Sequence, residues 1–192
     1  EKDYLICPAC HTVYDVNDRH FNFLSKDVIS DFNIIHTDNV SENQYDGLAM
    51  NSIYKHRNGL ILDCGAGKRE KCYENVINYE IVAYDSTDVL GVAERLPFKD
   101  NTFDTIFSFA VLEHVKDPFA TAREMIRVLK PGGLLYCQAP FLAPLHGYPH
   151  HYFNMSRHGL KLLFEGLIDI DRLEVLNFGQ PVFAFSWFLN SY

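Results

Sequence analysis

The sequence predicts a doubly wound α/β domain built on a mainly parallel, Rossmann-like sheet. Three observations carry this. First, Leu60-Ile61-Leu62 is a short apolar run that ends in Asp63 and breaks at once into Gly65-Ala66-Gly67, the pattern of a buried strand entering a tight turn. Second, further apolar runs recur at 81–84, 103–109 and 134–139. Third, a segment with helical spacing lies between the last two: Phe119, Ala122, Ile126 and Leu129 share one face, Asp117 and Pro118 open it, and Pro131-Gly132-Gly133 stops it. Strands alternating with helices require right-handed crossovers and a parallel sheet. Ligands of such sheets sit beyond the carboxyl ends of the strands.

In chain order, residues 1–24 form a segment of their own. Cys7-Pro8-Ala9-Cys10 is a Cys-x-x-Cys knuckle, followed by Tyr14-Asp15-Val16 and Phe21-Asn22-Phe23-Leu24. A closed zinc site needs four ligands. With one knuckle present, Cys7 and Cys10 read first as two free thiols and only second as zinc ligands; His11, adjacent to Cys10, and His20 are the remaining donors nearby. Residues 25–57 read as a helical cap or linker, with Val28, Phe32 and Ile35 helically spaced and Asn43-Gln44-Tyr45-Asp46 able to fold over a ligand. Residues 58–192 are expected to form the catalytic domain.

The glycines at 65 and 67 let the backbone bend sharply and approach a ligand. Lys68 to Asn78 has helical character, so helix N–H groups would face that ligand. Asp85 follows Ile81-Val82-Ala83-Tyr84, where a carboxylate can accept hydrogen bonds from both hydroxyls of a ribose. These parts describe a nucleoside-binding unit. A dinucleotide fingerprint needs a third glycine where this chain has Glu70, which disfavours a nicotinamide-dependent oxidoreductase. Asp63 can hold an ammonium group, so the turn suits S-adenosylmethionine, which carries an ammonium and no pyrophosphate.

Later blocks sharpen this. Gly91-Val92-Ala93-Glu94-Arg95-Leu96-Pro97-Phe98 precedes Asn101-Thr102-Phe103-Asp104, then Val111-Leu112-Glu113-His114-Val115, then Arg127-Val128-Leu129-Lys130-Pro131-Gly132-Gly133. Their order and spacing resemble the class I S-adenosylmethionine-dependent methyltransferases, in particular the type 11 group, over residues 58–165. The resemblance implies methyl transfer from S-adenosylmethionine, with cofactor contacts at Asp63, Gly65, Ala66, Gly67, Asp85, Ala93, Glu94 and Ala110. Related sequences commonly have an acid at the position of Val92, where it can meet the adenine amino group; Val92 cannot, which leaves Ala93 and Glu94. The amino-terminal knuckle resembles the second half of a small zinc ribbon found in front of some methyltransferases.

A second functional cluster follows the run at 134–139. Residues 140–153 contain three prolines and a glycine, so they form a loop, aimed at the active-site edge. His146, His150 and His151 are candidates for acid–base work on a methyl acceptor, and Tyr148 and Tyr152 could stack on it. His114 lies close to where the transferred methyl should be. A metal is the lesser reading of this loop, which lacks a carboxylate. Arg172 to Phe178 reads as a sixth strand, and Val182 to Tyr192, with Phe183, Phe185, Trp187 and Phe188, as a strand, a helix or a homodimer contact.

Composition bounds the function. A net charge of −8 disfavours a nucleic-acid substrate. No apolar run is long enough for a membrane span and no secretory signal is visible. Five cysteines at unpatterned spacings suggest a reducing, cytoplasmic setting. The expected activity is methyl transfer to a small-molecule or sugar-containing acceptor. The alternative is a cofactor-binding scaffold or regulatory domain, for which Val92 and the short carboxyl terminus speak.

Overall fold

The structure is a computed structural model that describes residues 4–8, 11–16, 19–42, 44–147, 150–176, 179 and 181–191. In chain order its elements are β1 (Tyr4–Ile6), β2 (Val13–Asp15), β3 (Phe21–Asn22), α1 (Lys26–Asp31), α2 (Gly47–Lys55), β4 (Ile61–Cys64), β5 (Val76–Glu80), β6 (Val89–Leu90), β7 (Phe103–Phe109), α3 (Pro118–Val128), β8 (Leu129–Gln138), α4 (Arg157–Phe164), a 3-10 turn (Ile170–Arg172) and α5 (Pro181–Ser191). Six strands form one sheet in the order β3-β6-β5-β4-β7-β8, and every pairing in it is parallel. Strand order reverses about β4, so the crevice of a doubly wound sheet opens where β4 and β7 diverge.

The central strands are apolar because both faces are covered. All four residues of β4 are buried. Side chains alternate across a strand, so Leu62 and Ile106 join Met125, Val128, Leu163 and Phe164 on the face covered by α3 and α4. Ile61 and Phe107 join Ala49 and Ile53 of α2 on the other. Each such side chain contributes about 1.5–3 kcal/mol on burial. Asp117 caps α3 through Ala120 N, with Pro118 in its first turn, as the sequence predicts.

Three expectations are corrected. The second central strand is Val76–Glu80, not 81–84, because Cys64 pairs with Tyr79 in register and Glu80 already passes the end of β4. Residues 81–88 form turns instead, Thr87 N donating to the Tyr84 carbonyl oxygen at 3.0 Å. Lys68 to Asn78 holds no helix; the β4–β5 crossover is irregular until β5 begins. Lys68-Arg69-Glu70-Lys71 offers no apolar stripe for a helix to bury, and Arg69 turns inward to pair with Asp63. Finally, residues 173–176 form no strand, and the aromatic terminus is the helix α5, with Phe185 and Trp187 exposed; Asn177 and Phe178 lie outside the described residues.

β1 and β2 form an antiparallel hairpin, Tyr4 opposite Asp15, closed by Cys7 N on the Thr12 carbonyl oxygen at 2.9 Å. Cys10 lies outside the described residues. β3 leaves this segment and extends the large sheet beside β6. No helix among the described residues is long and apolar enough to cross a membrane.

Candidate active site

A cleft of about 620 Å3 opens at the carboxyl ends of the sheet. At one end it is lined by Gly65, Gly67, Glu80, Ala93, Glu94 and Ala110, and at the other by Glu113, His114, His146, Tyr152 and Trp187. The glycine turn is forced. Gly65 and Gly67 have φ of 77° and 64°, a region other residues rarely enter. A Cβ on Gly65 would overlap Val111, and one on Gly67 would overlap the Ser41 carbonyl. The second clash shows what covers the turn: Asn39, Val40 and Ser41 line the cleft, and the Ser41 carbonyl oxygen accepts from Lys68 N at 3.0 Å. The flap therefore sits at 39–41 rather than at 43–46. Tyr45 reaches beneath the turn and Asp46 caps α2 through Ala49 N at 2.9 Å; Asn43 is outside the described residues. Ala110, just past β7, also has a positive φ, 56°, the kind of backbone strain that collects at functional sites.

The acids are arranged differently from the sequence reading. Asp63 is wholly buried and does not line the cleft. Its Oδ2 accepts from the Tyr45 hydroxyl at 2.5 Å, from Arg69 Nε at 2.9 Å and lies 2.8 Å from Arg69 Nη2. Burial pushes its pKa up, while Arg69 and Tyr45 pull it back. Oδ2 is thus met from within the protein, while Oδ1 is buried with no hydrogen-bond partner among the described residues. Ala66 is buried and also off the cleft. Asp85 lies on the surface, its side chain 95% exposed and paired with Arg19 at 2.6 Å. The acid at the end of the second central strand is Glu80. Gly67 N donates to its Oε2 at 2.8 Å and Ile81 N to its Oε1 at 2.7 Å, so both oxygens are fixed in place. Sequence reasoning missed Glu80 by placing the strand five residues late; the cue was available in Val76-Ile77-Asn78-Tyr79-Glu80, a mostly apolar run that ends in an acid. Val92 is buried, its carbonyl oxygen taking the Tyr79 hydroxyl at 2.9 Å. Glu94 lines the cleft and accepts from Lys116 N at 2.9 Å.

At the other end the loop after β8 folds back over β7. Tyr152 N donates to the Glu113 carbonyl oxygen at 2.7 Å. This brings together His114, His146 and His151, whose rings meet edge-on at centroid distances of 4.6 to 5.6 Å. Gly147, with φ of 76°, allows the approach; a Cβ there would overlap the His114 ring. Trp187 of α5 packs 4.7 Å from the His146 ring. Glu113 lies beneath, fully buried, and burial pushes its carboxyl up to about 7. Burial likewise lowers the pKa of His114. The carboxylate that the loop lacks is thus supplied from the preceding crossover, next to His114 in sequence. His150 and His151 line a shelf beside the main cleft with Tyr152. Tyr148 is outside the described residues.

Residues 62–137 match a family described as a methyltransferase domain, of type 11. This stretch of the chain is thus similar to a methyltransferase domain. The match covers the glycine turn, Glu80 and the Glu113-His114 pair, and stops before His146. Curated relatives include an uncharacterised methyltransferase of Schizosaccharomyces pombe, 44% identical over 33% of this chain and 23% of its own. A demethylmenaquinone methyltransferase of Bacillus pumilus is 37% identical over 36% of this chain and 30% of its own. A norajmaline N-methyltransferase of Rauvolfia serpentina is 38% identical over 47% and 28%. The chain thus spans less than a third of each of these relatives. Among solved structures, a phosphoethanolamine N-methyltransferase of Haemonchus contortus in complex with S-adenosyl-L-methionine overlaps 61% of this chain and 36% of its own, at 16% identity and a TM-score of 0.42. The cofactor of a methyltransferase domain of this class is S-adenosylmethionine. The cradle fits such a group: two glycines that leave room for no side chain, a carboxylate with both oxygens held toward the cleft, and a flap above.

Proposed function

We propose that this domain transfers the methyl group of S-adenosylmethionine to a small-molecule acceptor held at the histidine end of the cleft. The observation that carries the reading is that one continuous cleft joins the glycine turn and Glu80 to Glu113, His114 and His146. Bound S-adenosylmethionine would supply an electrophilic methyl group on a sulfonium. The chain's residues do the rest. The backbone at Gly65 and Gly67 receives the amino-acid portion of the cofactor. Glu80 takes the ribose hydroxyls: the backbone N–H groups of Gly67, Ile81 and Val82 hold its carboxylate, which has about four lone-pair sites in all. Ala93 and Glu94 flank the base, in place of the acid that Val92 lacks. Asp63 and Asp85 are withdrawn from direct contact with the cofactor.

Methyl transfer is chiefly a matter of holding two reactants in line in a dry site. The acceptor meets a wall of imidazole and carboxylate lone pairs, which suits an acceptor with a proton to give, such as a hydroxyl. Tyr152 and Trp187 supply aromatic surface for its body. The names of the relatives, acting on a demethylated quinone and on an alkaloid, support a compact organic acceptor over a macromolecule; the net charge of −8 points the same way. Calorimetric titration with S-adenosylmethionine tests the first half. Binding is expected for the native chain and lost in Gly65→Val. Equal affinity in the two would place the cofactor elsewhere. Release of S-adenosylhomocysteine across a panel of phenols, enols and glycosides tests the second.

A further inference from the structure

The acceptor end of the cleft gathers three lone-pair acceptors with no donor among them. His114 Nδ1 lies 2.8 Å from the His150 carbonyl oxygen, and His146 Nδ1 lies 2.8 Å from that of Pro144. A carbonyl oxygen only accepts, so each ring carries a proton on Nδ1, and in the neutral imidazole Nε2 is then the bare nitrogen. Both bare nitrogens face the same atom: Glu113 Oε1 is 3.8 Å from His114 Nε2 and 4.0 Å from His146 Nε2. Glu113 is fully buried, and among the described residues neither of its oxygens has a hydrogen-bond partner. At 3.8 and 4.0 Å the two pairs are too long for a proton to bridge in a hydrogen bond, so the ionised carboxylate and the imidazole lone pairs repel unless a cation lies between them.

The arrangement is that of a metal centre. One ligand atom from each residue lies within 4.8 Å of the others. Atoms each about 2.0–2.1 Å from a tetrahedral ion stand about 3.3 Å apart, so closure requires the separations to shorten by at most about 1.5 Å, within reach of side-chain rotations. Metal-binding histidines typically donate their second ring N–H to a carbonyl or carboxylate, which fixes the tautomer; both rings here already do. His151 is engaged elsewhere: its Nδ1 accepts from His146 N, and its Nε2 lies 3.0 Å from Asn154 Oδ1. Two imidazoles and one carboxylate suit zinc and its first-row neighbours, whereas magnesium and calcium favour oxygen donors. All three residues line the cleft, so a fourth position would open onto it.

We propose that Glu113, His114 and His146 hold a divalent transition-metal ion of the zinc class, whose open position takes an oxygen of the methyl acceptor. The ion stands on this geometry alone; the acceptor oxygen rests on the proposed function. The test uses the full chain with Cys7→Ser and Cys10→Ser, so that the knuckle cannot bind the probe, after removal of metals by chelator. Co2+ is titrated and its visible absorption followed, and S-adenosylmethionine binding is measured separately on the same protein. One equivalent of Co2+ with the intense spectrum of a tetrahedral site is expected. His146→Ala and Glu113→Gln, each checked for native circular dichroism, should weaken binding at least about tenfold. No such spectrum, or one unchanged in both variants, overturns the metal site. Co2+ binding without cofactor binding supports the ion and overturns the proposed function; cofactor binding without Co2+ does the reverse.

Discussion

At the cofactor end of the cleft the protein presents mostly backbone, while at the acceptor end it presents side chains. The first surface is Gly65 to Gly67, folded against its own neighbours and fixed by a carboxylate fifteen residues on from the turn's start. The second draws Glu113 and His114 from one crossover and His146 from the loop beyond the next strand, with Trp187 from the terminal helix. A backbone surface needs particular conformations, and so leaves its mark as glycines at short spacing. A side-chain surface needs only that distant segments meet, which no local pattern announces.

The comparison can be broken most forcefully from beneath the glycine turn. Arg69→Leu would leave Asp63 buried with the Tyr45 hydroxyl as its one side-chain partner among the described residues, and removing one member of a buried ion pair costs about 3–5 kcal/mol. Chemical denaturation should show a loss of that size near neutral pH. The sign with pH follows from Asp63, whose folded pKa is raised by burial and, without Arg69, would rise further. Folding then favours the protonated acid, so the variant should recover stability below the ordinary carboxylate range and lose it as pH rises through the raised value. A pH-independent deficit would mean that Asp63 is not the group left unpaired.

Glu80→Ala tests the cofactor end directly. Hydrogen bonds to a charged group are worth about 1.5–3 kcal/mol, so S-adenosylmethionine affinity should fall roughly tenfold to a hundredfold. Titration well below the melting temperature checks this, and unchanged affinity would move the ribose away from β5. A smaller effect should separate the two ends. Gly147→Ala places a side chain against the His114 ring at a positive φ, a conformation that costs about 1–2 kcal/mol for other residues. Turnover should drop severalfold with cofactor affinity nearly intact; equal loss of both would show that the loop supports the whole cleft.

The uneven legibility of the sequence has the same origin. The strands at 61–64 and 103–109, the Asp117 cap and the glycine turn were readable because each depends on a few adjacent residues. The second strand was misplaced because Ile81-Val82-Ala83-Tyr84 is as apolar as the true strand; only the register with β4, a nonlocal fact, selects Val76–Glu80. The helix expected at 68–78 failed for a related reason, since Arg69 gains more from the buried Asp63 than a short polar helix could return. Of the acceptor cluster, the histidines were visible as an unusual composition. Their carboxylate was not, although Glu113 adjoins His114, because its burial arises only when His146 and Tyr152, distant in sequence, come to lie against it.

Asp85 gives the smallest expected effect and the cleanest discrimination. The sequence alone places it where a ribose-binding acid belongs, and a variant there should then behave as Glu80→Ala does. The structure puts its carboxylate in solvent, 95% exposed and paired with an Arg19 side chain that is itself 74% exposed. Pairs of this kind contribute little, being screened by water and salt and opposed by side-chain entropy. Asp85→Ala should therefore change S-adenosylmethionine affinity by less than about twofold and leave the melting temperature nearly unchanged, with any residual effect fading as salt is added. Charge alone could mimic a weak cofactor effect, because the carboxylate lies on the turn that follows Glu80. Asp85→Asn separates the two: it keeps the shape and removes the charge, so it should match Asp85→Ala if the contribution is long-range electrostatics. A tenfold loss in Asp85→Ala at high salt would return the ribose to the position read from sequence, and Glu80 would then be a support for the Gly67 amide instead of a cofactor ligand.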